Sequence, residues 1–364
     1  FQQRRKQGKS VETNLSSNHR IIEKYKFSKE LLWVDQIPQC PVFRPSIEDF
    51  KDPFVFLHTI APQASKYGMC KIVSTWKASV PAFDVLIKEQ RGFEFKAYIQ
   101  HLRLHEWNVS DMPNFLITQS TYNYQSFEKM ANEAFAKRFG ADETTITIAL
   151  SHVYLEKQYW GEMARGTTTI EYGVNIDGSA FSSHPNDPLG QSNGNLKTFP
   201  QLPSCSLQLL DYQIPGITFP MLHIGMLFST FAWHVEDHFL YSINYHHSGA
   251  PKTWYGVPGH AASQFDKVDR DYVYDPDILS HIGKAGASAL LAEKTTMFPP
   301  NILLQHNVPV HKAVQMVEEY VITFPRAYHA RFSQGFNYGE AVNFAFGDWF
   351  PWGAMAGQVY AYSC

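Results

Sequence analysis

The sequence predicts a mixed α and β fold, in which a helical N-terminal third precedes a β-barrel or β-sandwich. Of its 364 residues 44% are hydrophobic and 18% are charged, which excludes a disordered chain. Aromatic residues reach 15%, with 27 Phe and 19 Tyr, and this favours packed strands. Helical apolar spacing dominates residues 84–165, whereas short strands separated by Gly and Pro dominate from Thr167 to Trp349.

Changes in composition divide the chain into five predicted segments. They are a flexible flank (1–39), a compact unit (40–83), a mainly helical region (84–165), a strand-rich region (166–350) and a tail (351–364). The clearest helices are expected at 122–138 and 149–163, and a short strand from Gly68 to Val73. A helical insert is expected near 259–293, within the strand-rich region.

Charge and cysteine usage limit the compartment and the partners. With 31 basic and 34 acidic residues the net charge is −3, so direct DNA binding is not indicated. The four cysteines form no CxxC pair, which predicts neither a disulfide framework nor a zinc site and suits a reducing, intracellular compartment. No apolar run approaches the roughly 18 residues of a membrane span, so no membrane partner is expected. The chain begins without Met and is expected to be excised from a longer protein.

Three residues carry the predicted chemistry. In the run Phe231-Ala-Trp-His-Val-Glu, strand alternation turns His234 and Glu236 to the same face, where they can converge on one cation. The β-forming run that ends in Tyr-His delivers His329 from a distant strand. Two His and one carboxylate with open positions form the arrangement of non-haem Fe(II) oxygenases.

Neighbouring strands supply groups that suit such a reaction. Asn244 and Lys252 are each expected to point inward, and an ammonium group can neutralise the far carboxylate of a chelating 2-oxo acid. Ala341 and Asn343 alternate along a later strand and are expected to line the cavity. A chelating 2-oxo acid and O₂ would occupy the open positions of the metal.

Two other interpretations were weighed on the same residues. A zinc hydrolase also uses two His and one Glu, but typically as HExxH on a helix, and the sequence contains no HExxH. One His among 16 is more often an ordinary packed or surface residue than a ligand. That interpretation is kept for His238, His246, His247, His306 and His311.

The strand-rich region resembles the JmjC domain of the jumonji histone lysine demethylases. The resemblance rests on residues 231–258, on Thr-Phe-Pro-Arg-Ala-Tyr-His-Ala from Thr323, and on Gly-Phe-Asn-Tyr-Gly-Glu-Ala-Val-Asn-Phe-Ala from Gly335. Upstream, Pro-Val-Phe-Arg-Pro-Ser-Ile-Glu-Asp-Phe from Pro41 is similar to the JmjN segment found in one branch of this family. Together the motifs resemble those of plant members of the family. The resemblance implies a double-stranded β-helix, or jelly roll, flanked by helices, with the JmjN segment at 40–83.

The resemblance also implies a role for each matching residue. His234, Glu236 and His329 would hold Fe(II). Six residues would bind the cosubstrate 2-oxoglutarate: Lys252 and Tyr172 at its far carboxylate, Asn244 at its metal-proximal end, Phe231 and Trp254 as walls, and Ser242 beside them. The substrate lysine would meet Gly216, His223, Ala341 and Asn343.

Five positions depart from the family pattern. Two of them, Ala341 and Val342, stand where some relatives carry hydroxyl residues. His223 stands where relatives carry a Tyr that contacts methyl-lysine, and Met221 replaces another aromatic residue. Arg331, close behind His329, stands where Gly is usual, and its long charged side chain is expected to perturb the pocket mouth.

The predicted function is oxidative removal of methyl groups from di- or trimethyllysine of the histone H3 tail, with release of formaldehyde and succinate. Lysine twenty-seven or lysine nine is favoured, and chromatin in the nucleus is the expected setting. Three alternatives stay open: demethylation of lysine four, a catalytically weak protein that binds methyllysine or acts as a scaffold, and stable hydroxylation of a protein or RNA partner.

Overall fold

Two β-sheets face one another and helices cover their outer sides in the computed structural model, which describes residues 31–89, 92–104, 119–140, 150–274, 279–280 and 286–361. The strands are β1 (Val42–Phe43), β2 (Met69–Val73), β3 (Glu94–Leu102), β4 (Gln119–Asn123), β5 (Thr168–Asp177), β6 (Met221–Gly225), β7 (Thr230–His234), β8 (Tyr241–Gly249), β9 (Lys252–Val257), β10 (His311–Gln315), β11 (Glu319–Thr323), β12 (Tyr328–Ser333) and β13 (Asn337–Phe344). The helices are α1 (Pro53–Ala64), α2 (Ala82–Asp84), α3 (Tyr124–Phe139), α4 (His152–Arg165), α5 (Ala262–Val268), α6 (Gly286–Ala292), α7 (Asn301–Gln305) and α8 (Phe350–Ala361).

The topology confirms the mixed α and β jelly roll. One sheet has nine strands in the order β1-β2-β11-β8-β13-β6-β5-β3-β4, and the other has four in the order β10-β9-β12-β7. Apart from the parallel pair β1 and β2, neighbouring strands are antiparallel. Side-chain hydrogen bonds that cross between the sheets include those from Arg331 to Asn244 and from Asn343 to Glu236.

Aromatic packing fixes the outer faces of both sheets. On the four-stranded sheet, Tyr159 of α4 stacks on Phe332 of β12 with ring centroids 3.9 Å apart. On the nine-stranded sheet, Phe54 of α1 meets Phe344 of β13 edge to face at 5.6 Å. Because strand side chains alternate, helices that cover residues 332 and 344 leave residues 331 and 343 facing the space between the sheets.

The described part of the region 84–165 combines the expected helices with two strands. The two expected helices are present as α3 and α4, although residues 141–149 lie outside the described part of the chain. The strands β3 and β4 were not predicted, yet β3 pairs with β5 and extends the large sheet. Its buried positions Phe95 and Ala97 alternate with exposed Glu94 and Lys96, a period of two that indicates a strand.

Both ends of the described chain also differ from prediction. Residues 31–39 were expected to belong to a flexible flank, but Trp33 and Val34 are buried, and Trp33 packs edge to face on Trp160 at 5.7 Å. The expected tail contains the helix α8, which runs from Phe350 to Ala361, and its Ala356 is buried. The predicted short strand is β2, and the helical insert near 259–293 contains α5 and α6. No helix within the described ranges is long and apolar enough to cross a bilayer.

Candidate metal and cosubstrate site

Strand register brings the three predicted ligands together. His234 ends β7 and is the direct cross-strand partner of His329 on β12, and their ring centroids lie 4.2 Å apart. Glu236 follows β7 in extended conformation, with an oxygen 3.3 Å from Nε2 of His329. The ligand atoms of the three residues all lie within 4.8 Å of one another. A divalent ion with bonds of about 2 Å fits such a cluster.

Hydrogen bonds orient each ligand before any ion binds. Nδ1 of His234 lies 2.8 Å from the Ala232 carbonyl oxygen, and Nδ1 of His329 lies 2.9 Å from that of Ala327. A carbonyl accepts only from an N–H, so each Nδ1 carries the proton and each Nε2 presents a lone pair. Asn343 Nδ2 donates to Glu236 Oε2 at 3.1 Å and holds the carboxylate in place.

The protonation state of the cluster suits a cation. Burial and the neighbouring His329 lower the pKa of His234 to about 3, which keeps its ring neutral. Burial acts to raise the pKa of Glu236, but the adjacent rings of His329 and His234 and the Asn343 side chain outweigh it and hold that pKa below its usual range. The neutral imidazole of His234 and the carboxylate of Glu236 can therefore bind a metal without first losing protons.

An irregularity in β7 widens the inward-facing surface. On a regular strand Phe231 and His234, three residues apart, would point to opposite faces. A register shift between the His329 and Arg331 pairs makes Phe231 the partner of Arg331 while His234 stays the partner of His329. The extra residue turns both side chains to the same face, as β-bulges do beside many active sites.

The opposite wall comes from β8 and β13. Asn343 pairs with Ser242 and Ala341 with Asn244, so all four side chains lie side by side on one face. Ser242 Oγ lies 2.6 Å from Thr323 Oγ1 and accepts a hydrogen bond from Asn244 Nδ2 at 3.1 Å. Together with the ligands, these residues border a cavity of about 360 Å³.

Family models match the two regions that carry the site and its N-terminal support. Residues 221–344 match the JmjC domain, described as a hydroxylase, and residues 41–74 match the jmjN domain. The chain contains a jmjN domain and a JmjC domain. All three metal ligands of this JmjC protein lie within the matched JmjC range.

Curated plant relatives support the same assignment. The chain is 54% identical over 343 residues to lysine-specific demethylase JMJ706 of Oryza sativa subsp. japonica, which covers 94% of this chain and 39% of that protein. It is 33% identical to lysine-specific demethylase JMJ705 of the same plant, over 87% of this chain and 26% of the relative. Lysine-specific demethylase REF6 of Arabidopsis thaliana is 32% identical, with coverages of 87% and 25%. The chain thus spans between a quarter and two fifths of the length of these relatives.

The predicted substrate residues border the same cavity. They are Gly216, His223, Ala341 and Asn343. Gly216 has φ of 78°, a conformation that favours glycine. Its carbonyl oxygen accepts a hydrogen bond from the backbone N–H of Asn343 at 2.9 Å. His223 is buried with no hydrogen-bond partner for Nδ1 among the described residues, and burial and Arg331 hold its pKa well below the usual range.

The cosubstrate residues divide into two groups. Asn244, Phe231, Trp254 and Ser242 border the cavity, as expected of a JmjC pocket. Lys252 and Tyr172 are buried but do not border it in the part of the chain that the structure describes. The Lys252 ammonium has no hydrogen bond or ion pair with any described residue, and Gly339 leaves it room because a Cβ there would lie 2.7 Å from Nζ.

Arg331, which was expected to perturb the pocket mouth, lines the cavity. Its side chain is buried, and its guanidinium lies between the rings of Phe231 and Trp254. The signal was available in the sequence, because a residue two positions after His329 on one strand must share its inward face. The metal ligands therefore fit a divalent ion, whereas Arg331 fills the slot expected for the cosubstrate.

Proposed function

We propose that this JmjC protein removes methyl groups oxidatively from di- or trimethyllysine of the histone H3 tail. The convergence of His234, Glu236 and His329 on one point, within a matched hydroxylase domain, carries the proposal. Relatives that bear the name lysine-specific demethylase support the substrate class. By the same reasoning we propose chromatin as the partner, the nucleus as the location, and residues 40–83 and 166–350 as the JmjN and catalytic units.

The proposed cofactors are Fe(II), 2-oxoglutarate and O₂. When bound, they oxidise an N-methyl group, so that formaldehyde leaves the lysine and the 2-oxo acid becomes succinate and carbon dioxide. The protein's own task is positioning. His234, Glu236 and His329 fix the metal, and Asn343 fixes Glu236 through its side-chain amide. Arg331 has to leave the slot between Phe231 and Trp254 before a dicarboxylate can enter it.

The small side chains around the cavity suit a methylated ammonium. Gly216 and Ala341 add little bulk beside the metal ligands, and Asn343 offers a side-chain amide at the same wall. We propose lysine twenty-seven or lysine nine of histone H3 as the target because both lie in an Ala-Arg-Lys-Ser context that one groove can accept. Lysine four is the competing target, and a panel of methylated tail peptides decides among them.

A second candidate function follows from Arg331. A JmjC barrel whose cosubstrate slot is occupied suits a catalytically weak protein that binds methyllysine or acts as a scaffold. Binding of methylated peptide with no cosubstrate-dependent turnover would favour this candidate.

The test is formaldehyde release from a trimethylated H3 peptide in the presence of Fe(II) and 2-oxoglutarate. We expect release from the unaltered chain and none from His234→Ala, because two remaining ligands cannot hold the metal in the required geometry. His101→Ala, at an exposed position on β3, is the matched control and should retain activity. Equal turnover in His234→Ala and the control would overturn the proposal.

A further inference from the structure

One residue of β12 decides what the cosubstrate slot contains. Three adjacent strands align Phe231 of β7, Arg331 of β12 and Trp254 of β9 in a single cross-strand row. The next inward-facing row along β12 holds His234, His329 and Gly256. The predicted metal ligands and the slot are therefore neighbours on the same face. With glycine at position 331, as in the family pattern, the space between the two aromatic rings would be open.

The guanidinium of Arg331 fills that space. Its Cζ lies 4.3 Å from the ring centroid of Phe231 and 4.6 Å from that of Trp254, which are stacking distances on both sides. Nη1 donates to Asn244 Oδ1 at 2.9 Å, and the Tyr172 hydroxyl neighbours the same group. Four of the six side chains expected to hold 2-oxoglutarate therefore surround the head group of Arg331 instead.

The same placement separates the metal from Lys252. Arg331 borders the cavity beside the metal ligands, whereas among the described residues Lys252 lies outside its lining. A cosubstrate that chelates the metal would have to pass the guanidinium to reach the ammonium. No carboxylate among the described residues forms an ion pair with either Lys252 or Arg331.

We propose that Arg331 is a built-in occupant of the cosubstrate slot, which keeps the protein in a state of low affinity for 2-oxoglutarate until the side chain swings out. The proposal rests on the proposed function only in taking 2-oxoglutarate as the ligand of this slot. A ligand that binds only an open minor state loses apparent affinity in proportion to the population of that state. An open state populated at about 10% or less weakens binding about tenfold or more.

The test measures the binding of 2-oxoglutarate to the Mn(II)-loaded protein by titration calorimetry, in the absence of peptide. We expect Arg331→Gly to bind at least about tenfold more tightly than the unaltered chain, since it removes the occupant. The matched control is Arg326→Gly, which removes an arginine paired with Asp266 outside the slot, at a residue whose φ of 57° suits glycine. It should leave the affinity unchanged.

Two further measurements keep the test decisive. Arg331→Ala should tighten binding as well, and it replaces the glycine variant if that variant unfolds. Unchanged affinity in a folded variant would overturn the proposal, and so would weaker affinity, which would make Arg331 the cation that binds the carboxylate. Tighter binding without any demethylation would support the role of Arg331 and contradict the proposed function, so the two failures are distinguishable.

Discussion

The two faces of the four-stranded sheet differ in whether their buried cations are paired with a carboxylate. On the outer face Lys312 of β10 donates to Glu156 of α4 at 3.0 Å and to the Val34 carbonyl oxygen at 2.7 Å. The Tyr255 hydroxyl donates to the other oxygen of Glu156 at 2.7 Å. On the inner face Lys252 has no partner among the described residues, and Arg331 bonds only to neutral groups.

The contrast separates a structural charge from a charge kept for a ligand. An unpaired buried charge is costly, so a fold normally neutralises it, as the outer face does. On the inner face, burial and the neighbouring guanidinium of Arg331 hold the pKa of Lys252 well below its usual range. Such a pair suits a pocket whose missing partner is an anion.

The largest expected effect concerns the outer face. Lys312→Met should destabilise the protein by about 3–5 kcal/mol, because it leaves the Glu156 carboxylate buried without its cation. Chemical denaturation measures the change in the free energy of unfolding. The control Lys267→Met, at an exposed position of α5, should stay within about 0.5 kcal/mol. A loss of stability in Lys267→Met as large as that in Lys312→Met would contradict the importance of the Lys312–Glu156 pair.

A smaller effect is expected at the metal. Asn343→Ala should weaken metal binding by about 10–100-fold, because the amide that orients Glu236 is lost while all three ligands remain. Mn(II) titration of the free protein measures this. Asn193→Ala removes an exposed amide that bonds the Lys51 carbonyl oxygen, and it should not change the affinity. An Asn343→Ala protein with unaltered affinity would show that Glu236 needs no such support.

The smallest expected effect concerns the inner face. Lys252→Met should cause no loss of stability, or a gain of about 1 kcal/mol, because it replaces an unpaired buried ammonium by an apolar side chain of similar size. The same denaturation experiment compares it with Lys312→Met. A loss as large as that of Lys312→Met would mean that Lys252 has a structural role, and the contrast between the two faces would be wrong.

Strand alternation explains how much of this site could be predicted from sequence. It placed His234 with Glu236, and Ala341 with Asn343, on inward faces, and the structure agrees. The pairing of His234 with His329 needed the register of two distant strands, which a local pattern does not encode.

Other features depended on tertiary structure. The bulge in β7 that turns Phe231 inward leaves no local signature that alternation can read. The strand β3 was missed because its region lies between strong helical patterns, and its pairing with β5 outweighed them. Strand alternation points Arg331 inward, but a long charged side chain is rarely buried without a carboxylate, so its burial depended on its tertiary partners. Stacking between Phe231 and Trp254 and a hydrogen bond to Asn244 stabilise the buried guanidinium.

The most direct test of the account is the mass of a trimethylated H3 peptide after incubation with the protein, Fe(II) and 2-oxoglutarate in air. We expect losses in steps of about 14 Da, one per methyl group removed, which grow faster in Arg331→Gly and vanish in His234→Ala. A stable gain of about 16 Da, or an unchanged peptide with both the unaltered chain and Arg331→Gly, would contradict it.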